Sequence, residues 1–441
     1  MILQEAIPMR DMLYDINSEY ADILNIIRCK PNIEKTVLSK VLNIAYKTLI
    51  KQLETLETEG FIYTKPDLQI NRNIFYMCGI SVGGSHCKVV ITDANYQALE
   101  KEEFDTLCEK YDVFQQDFFV HRNNSTPYGY KYFETPEDRT TLEICLQKII
   151  EDIIKLSDIS LTEKDLPPII SIGIAFTGSI DTEKQIIVRS HNLDYMKNIS
   201  RDMLLNSGIV NALKQRKIKL IIDHNAKAMA VSEKFSLYRN DNINFEYHYK
   251  KNIACFYLGS GIGCGLILNN RLIRGCNNFS GELGHIQVPR FPEYREHSIS
   301  ENCTCGSSEC LEHYLIHDVF QMTRKQFRLA TSSEIKDNIL KLKQTDPEEF
   351  DKRMRVMGYY IRWAVDAITK LLNVGLIIFS GKITCLIDEE AWSYLKPANS
   401  ELNYAVTNCP MILSNYAALA PSIGAAILST YPPHELIEWK V

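Results

Sequence analysis

Three of the chain's thirteen cysteines crowd into eight positions, Cys303, Cys305 and Cys310, in the run Cys-Thr-Cys-Gly-Ser-Ser-Glu-Cys-Leu-Glu over 303–312. Neighbours such as Glu301, Asn302 and Thr304 suit them poorly to an apolar core. An odd total scattered over 441 residues is equally poor as a secreted disulfide framework. A short Cys-x-Cys turn with Gly306 lets two thiolates converge on one ion. A third thiolate and one imidazole complete a tetrahedral Cys3His set suited to Zn2+. His285 is the preferred imidazole because Glu282 and Gly284 frame it, with His297 and His313 as alternatives. Three soft ligands and an imidazole fill the coordination sphere, so such a zinc is structural and leaves no place for a catalytic water. The remaining thiols, Cys264 among them, read as core or surface groups.

The rest of the composition is that of an ordinary globular chain, 45% hydrophobic and 24% charged, long enough for two or three domains. A net charge of -6 excludes a generally basic nucleic-acid coat or membrane-surface protein. No stretch approaches the roughly 18 apolar residues of a spanning helix. Glu5, Pro8 and Arg10 interrupt the first ten positions before any long apolar run, unlike a leader. These features predict a reduced, cytoplasmic, multidomain protein with no membrane partner.

Residues 18–60 read as helix, with no glycine before Gly60. Ser18 is placed to cap a first helix with the apolar face Ala21, Ile23, Leu24, Ile26 and Ile27, which Pro31-Asn32 breaks. A second helix over 34–41 leads through Leu42-Asn43-Ile44 into a third over 46–58, with Leu49, Leu53 and Leu56 inward. Gly60 stops it, and 61–64 and 70–77 then alternate around Pro66-Asp67 as a hairpin wing would. Three short helices and a wing make the winged helix-turn-helix pattern, whose third helix enters the major groove. Tyr46, Lys47, Lys51 and Gln52 read as lying off the apolar stripe of that helix and available to DNA. Glu54, Glu57 and Glu59 gather at its far end, leaving the bases at the N-terminal half where base contacts are made. A three-helix dimerisation or docking module is the alternative, since acids slightly outnumber bases over residues 1–70.

From Phe75 the texture changes. Apolar runs at 75–80, 88–92, 169–174 and 220–222 read as strands and 142–156 has helical period, which implies an α/β fold. The aromatic-rich stretch 104–140, with Asn123-Asn124-Ser125-Thr126-Pro127, reads as a long excursion without a partner. Two glycine clusters stand out, one with Gly79, Gly83 and Gly84, the other Gly259-Ser260-Gly261-Ile262-Gly263-Cys264-Gly265 with Asn269-Asn270 suited to a primed turn beyond it. Glycine exposes backbone N–H groups that cradle phosphate, but a tight turn between strands explains each cluster as well. Neither matches a P-loop or opens a dinucleotide-binding βαβ unit.

The second glycine cluster, Arg274-Gly275-Cys276-Asn277-Asn278, Gly281-Glu282-Leu283-Gly284-His285 and the cysteine run together resemble the ROK family of repressors, uncharacterised reading frames and sugar kinases. The resemblance takes in 79–85, 173–181, 225–233 and 421–426, and so nearly everything after residue 74. It implies an actin-like, ribonuclease-H-like pair of α/β lobes with a sugar cleft between them. The winged helix ahead of this body resembles the repressor branch. The implied division is 1–73 for DNA binding, 74–224 with 415–441 as lobe I, and 225–414 as lobe II with the zinc site and dimerisation. By the same resemblance Glu282, His285 and Glu312 contact sugar hydroxyls beside His224 and Asn225, and Gly83, Gly84, Gly259, Gly261 and Gly263 form phosphate-loop-like turns.

The departures from the kinase pattern decide the expected activity. Family kinases carry Asn-Asp-Ala-Asn-Ala-Ala-Ala, whose Asp deprotonates the sugar hydroxyl. Here the run is His224-Asn225-Ala226-Lys227-Ala228-Met229-Ala230, and the Asn225 carboxamide hydrogen-bonds a hydroxyl without taking its proton. Ser81 opens the first glycine loop where Asp is usual, and Lys382 replaces a second glycine after Gly381, against adenosine binding. Phosphoryl transfer needs positioning, metal and nucleophile activation together. The expectation is therefore a non-catalytic transcriptional repressor that binds operator DNA and a sugar or sugar phosphate, as a homodimer or homotetramer. The alternatives are an ATP-dependent sugar kinase with an accessory N-terminal domain, and a zinc-stabilised scaffold that binds neither DNA nor sugar.

Overall fold

The computed structural model describes residues 18–120, 126–190, 192–238, 245–247, 250–292, 303, 305–387 and 409–431. His297, Asn123, Asn124, Ser125 and the Ser18 side chain lie outside the described residues. The N-terminal unit has helices α1 (Ser18–Cys29), α2 (Lys35–Leu42) and α3 (Tyr46–Thr58), then an antiparallel pair, β1 (Ile62–Tyr63) and β2 (Gln69–Ile70). Ile23, Leu24, Ile26 and Ile27 of α1 pack with Leu38, Leu49, Leu53 and Leu56 in one buried cluster. Asn43 ends α2 in the left-handed region, where a short polar side chain is tolerated.

Two expectations are corrected here. The returning wing strand is Gln69–Ile70 rather than 70–77, because Tyr76–Val82 is fully buried in a separate sheet. Gln52 is only 8% exposed. It stands three residues after Leu49 and four before Leu56, so the helical period puts it on the apolar stripe and not beside Lys51. Tyr46, Lys47 and Lys51 are exposed as expected.

The body opens with β3 (Tyr76–Val82), β4 (His86–Asp93), α4 (Lys101–Lys110), β5 (Lys131–Glu134), α5 (Arg139–Ile159) and β6 (Ile169–Phe176). A small antiparallel sheet, β7 (Ser179–Asp181), β8 (Ile186–Arg189) and β9 (Lys197–Ser200), precedes α6 (Ser207–Gln215), β10 (Lys219–His224) and α7 (Asn225–Leu237). The second lobe contains β11 (Ile253–Leu258), β12 (Ile262–Leu268), β13 (Arg271–Ile273), α8 (Leu311–Tyr314), α9 (Arg324–Leu329), α10 (Ser332–Thr345) and α11 (Pro347–Leu372). It closes with β14 (Leu376–Ser380) and β15 (Met411–Leu413), after which α12 (Ala420–Leu428) returns to pack on β3, β4 and β6 of the first lobe.

The two large sheets share one scheme. In the first, β3, β4 and β5 form an antiparallel meander while β6 and β10 add in parallel beyond β3. In the second, β11, β12 and β13 form the meander and β14 and β15 add in parallel. The stretch at 104–140 is thus not an unpartnered excursion: β5 pairs with β4 at the sheet edge. Its phenylalanines are core groups, with Phe104 and Phe114 stacked at 6.2 Å.

Between the sheets lie α7 and α12. A Cβ on Gly424 would stand 1.7 Å from the Ala228 carbonyl oxygen, so only glycine permits that approach. Every residue of α7 is buried, and its two lysines are satisfied by carbonyls, Lys227 by Asn278 at 2.8 Å and Lys234 by Lys250 at 2.8 Å. At its far end Phe235 meets Tyr96 edge-on at 5.0 Å. Tyr96 in turn lies 4.1 Å beneath the Arg28 guanidinium of α1, whose Nε donates to the Ala94 carbonyl at 2.8 Å. One rigid helix therefore joins the interior between the lobes to the N-terminal unit. Among the described residues, no helix is long and apolar enough to cross a membrane.

Candidate functional site

The start of α7 opens on a cleft between the lobes, lined by both glycine turns and by His224, Asn225, Glu282, His285 and Glu312. The β10–α7 junction positions the first two. His224 caps α7: its Nδ1 accepts from the Ala226 amide at 3.1 Å. Burial keeps the ring neutral, so Nε2 carries the hydrogen and offers a donor, 3.9 Å from Glu282 Oε1. Asn225 is 5% exposed, and its Nδ2 donates to the Val82 carbonyl at 3.2 Å. Its Oδ1 is buried without a hydrogen-bond partner among the described residues. An orphaned acceptor of this kind is costly and calls for a donor in the cleft.

Glu282 is more open, and burial raises its carboxyl. Glu312 is 3% exposed and already engaged. Its Oε2 accepts from the Ile262 amide at 2.6 Å and its Oε1 pairs with Arg324 at 2.6 Å. The carboxylate thus braces the turn before β12 as well as facing the cleft. Arg324 has no recognisable motif around it. Arg274, which opens the Arg274–Asn278 run, binds Asp223 at the end of β10 through two hydrogen bonds of 2.9 and 2.7 Å.

His285, Cys303, Cys305 and Cys310 come together with their ligand atoms all within 4.8 Å of one another. Gly306, at φ +91°, closes the tight turn between Cys303 and Ser307. His285 Nδ1 stands 3.4 Å from Cys303 Sγ. Tetrahedral zinc with ordinary bond lengths separates such atoms by about 3.6 Å. Cys310 first, then His285 and Arg324, hold Cys303 toward the thiolate, opposed by burial, while the same contact raises Cys310. Soft donors at this spacing fit a zinc ion. His313 instead stacks at 4.3 Å on His317, outside this group, so the alternative ligand is not supported.

The glycine turns meet at the cleft, with Ser85 Oγ 3.1 Å from Ser260 Oγ. Gly83 and Gly84 lie between β3 and β4, and Gly259 and Gly261 between β11 and β12. Gly263 is not in the turn: it sits in β12, paired with Tyr257. Ser81 is buried and hydrogen-bonded to Ser422 at 2.8 Å. The Lys382 ammonium reaches the backbone carbonyls of Phe327, Arg328 (3.3 Å) and Ala330 (3.1 Å), and burial lowers it to about 7.

Two like α/β lobes around a cleft, with a Cys3His donor set on one rim, define an actin-like body. The ROK family model matches residues 77–430, and the chain belongs to the ROK family. A xylose repressor from Caldicellulosiruptor bescii is 23% identical over 295 residues, 64% of this chain and 59% of that protein. Another, from Bacillus spizizenii, is 24% identical over 404 residues, 89% of this chain and 88% of that one. The chain spans 59–61% of the first two curated relatives it matches. A ROK family transcriptional regulator described as a homologue of the E. coli MLC protein has the same fold, with TM-score 0.60, 17% identity and coverage of 94% and 96%. So has a ROK family glucokinase from Streptomyces griseus solved with glucose and AMPPNP, at TM-score 0.51, 15% identity and coverage of 80% and 98%.

Proposed function

We propose that this chain is a sugar-responsive transcriptional repressor without catalytic activity. The observation that carries the reading is the buried Asn225 Oδ1, an acceptor without a partner among the described residues at the mouth of a cleft. A sugar hydroxyl satisfies it, with His224, Glu282, His285 and Glu312 supplying further polar contacts. The three helices and β1–β2 act as a winged helix-turn-helix, with Tyr46, Lys47 and Lys51 facing operator DNA. The repressor names of the curated relatives support this reading.

The domains in this reading are 1–73, 74–224 with 415–441, and 225–414, in a cytoplasmic homodimer or homotetramer that sets two winged helices at half-site spacing. His285, Cys303, Cys305 and Cys310 hold a structural Zn2+ that fixes His285 and the Glu312 segment at the cleft. Once bound, the ion supplies coordination and no open position. Asn225 holds no proton-accepting carboxylate, and the Ser81 hydroxyl is spent on Ser422. A coupled ATPase assay over pentoses, hexoses and N-acylated hexosamines is therefore expected to give no turnover. Sugar-dependent ADP release would favour the kinase reading instead.

The same panel in a thermal-shift measurement is expected to yield one sugar that raises the melting temperature by at least about 2 °C, since a ligand that binds only the folded state stabilises it. Xylose belongs in the panel. No shift with any sugar would sink the effector reading. On the DNA side, Lys47→Gln with Lys51→Gln is expected to weaken operator binding at least tenfold. The salt dependence should flatten by about two phosphate contacts, a change in log–log slope of roughly 1.8. Gln52→Ala is a contrast: it acts on stability and not on the salt slope.

A further inference from the structure

Helix α9 (Arg324–Leu329) carries no motif, yet it touches Glu312, the metal centre and the Gly84 turn. Its first residue, Arg324, pairs with Glu312 at 2.6 Å and donates to Cys303 Sγ at 3.1 Å, so it joins the sugar-facing carboxylate to the metal centre. One turn later Arg328 reaches across to lobe I. Its Nη1 donates to the Gly84 carbonyl at 3.1 Å and to the Asn192 carbonyl at 3.0 Å. Gly84 leaves room for this: a Cβ there would stand 2.8 Å from Asn192 Cβ and 3.3 Å from Arg328 Cδ. The helix is anchored on its own lobe at both ends. Thr323 and Gln326 form a reciprocal capping box, and the Lys382 ammonium gathers the carbonyls at the C-terminal end. The unusual lysine after Gly381 thus has a structural task.

We propose that α9 is a clasp that closes the cleft from the metal side, with Arg328 the positioning residue that holds lobe I shut over a bound ligand. Its partners are neutral carbonyls, so the contact is charge-assisted, and among the described residues it opens without leaving a buried carboxylate unpaired. A second contact between the lobes, the Arg274–Asp223 ion pair at 2.7 Å, joins the chain just after β13 to β10. The inference rests on the reading of the cleft as an effector site.

Hydrogen exchange of the full-length, zinc-loaded chain tests it without any sugar. Arg328→Met is expected to speed exchange at 83–86 and 192–196 at least tenfold, whereas Arg328→Lys, which still donates to both carbonyls, stays within about threefold of the parent. Metal content should equal that of the parent in both variants, which separates opening from misfolding. With the stabilising sugar, Arg328→Met is expected to raise Kd at least tenfold, mainly through faster dissociation. Unchanged exchange in Arg328→Met overturns the clasp, as does equal loss in Met and Lys variants. Should no sugar bind the parent chain, the effector reading fails, while the exchange result still decides the clasp.

Discussion

Stripping the metal from the His285, Cys303, Cys305 and Cys310 centre with a chelator is expected to lower the melting temperature of the full chain by roughly 10 °C and to abolish the sugar-induced shift. A structural zinc contributes its binding energy to folding, and several kcal/mol at about 2–4 °C per kcal/mol, the scale for a unit the size of 225–414, gives a change of that size in the transition of that lobe. The loss extends beyond the ion because the donors are wired into the cleft. His285 follows Glu282 by three residues, Cys310 precedes Glu312 by two, and Arg324 touches both Cys303 and Glu312. Without the ion, the Cys303 thiolate is left with Arg324 and hydrogen bonds alone. Cys303→Ser should reproduce the effect, since a hydroxyl is a poor ligand for zinc. Re-addition of zinc should restore the parent protein and not the variant. A metal-free chain that melts and binds sugar as before would show that the cluster does no structural work.

Asn225→Ala is expected to weaken effector binding by about 30- to 100-fold, roughly 2–3 kcal/mol, with little change in metal content. The variant removes the acceptor that a ligand hydroxyl would use and also one of the two donors to the buried Val82 carbonyl, which keeps the Thr177 amide at 3.0 Å. Asn225→Asp separates two readings of the same position. Its carboxylate would face the Val82 carbonyl where Nδ2 now donates, so it should bind sugar less well than the parent and still show no phosphoryl transfer. Even with Ser81→Asp added, which puts a carboxylate in a buried place beside Ser422, the Lys382 ammonium remains against turnover. Turnover in that double variant would mean that only the two carboxylates separate this chain from the kinases.

The local chemistry of the centre was legible because metal binding leaves a dense, short-range pattern: Cys303, Cys305, Cys310 and the framed His285 are found by spacing. The α3 stripe is legible too, except at Gln52, where a polar side chain suggests exposure although position 52 is in phase with Leu49 and Leu56. Long-range partners are not. Arg324 and Arg328 stand in unremarkable polar stretches and gain meaning only when other segments reach them, Glu312 from 12 residues away and Gly84 from 244, while the Arg274 run is visible in the sequence but its partner Asp223, 51 residues back, is not. The 104–140 stretch failed for the same reason, since β5 is only four residues long and its partner β4 lies far back in the chain. Gly263 shows the limit of a motif: the glycine run continues past the turn into β12.

The path from cleft to N-terminal unit is short and physical. His224 and Asn225 begin α7, Phe235 near its end touches Tyr96, and Tyr96 carries Arg28 of α1. A ligand that shifts α7 has a rigid route to α1, provided that its affinity differs between the two arrangements. The most direct measurement is operator selection from a random DNA pool with the full-length, zinc-loaded chain, followed by titration of the selected duplex at several salt concentrations with and without the stabilising sugar. The account predicts one enriched sequence, affinity that falls with salt, and at least a tenfold change in that affinity when the sugar is present. No enriched sequence, or binding that the bound sugar leaves unaltered, would contradict it.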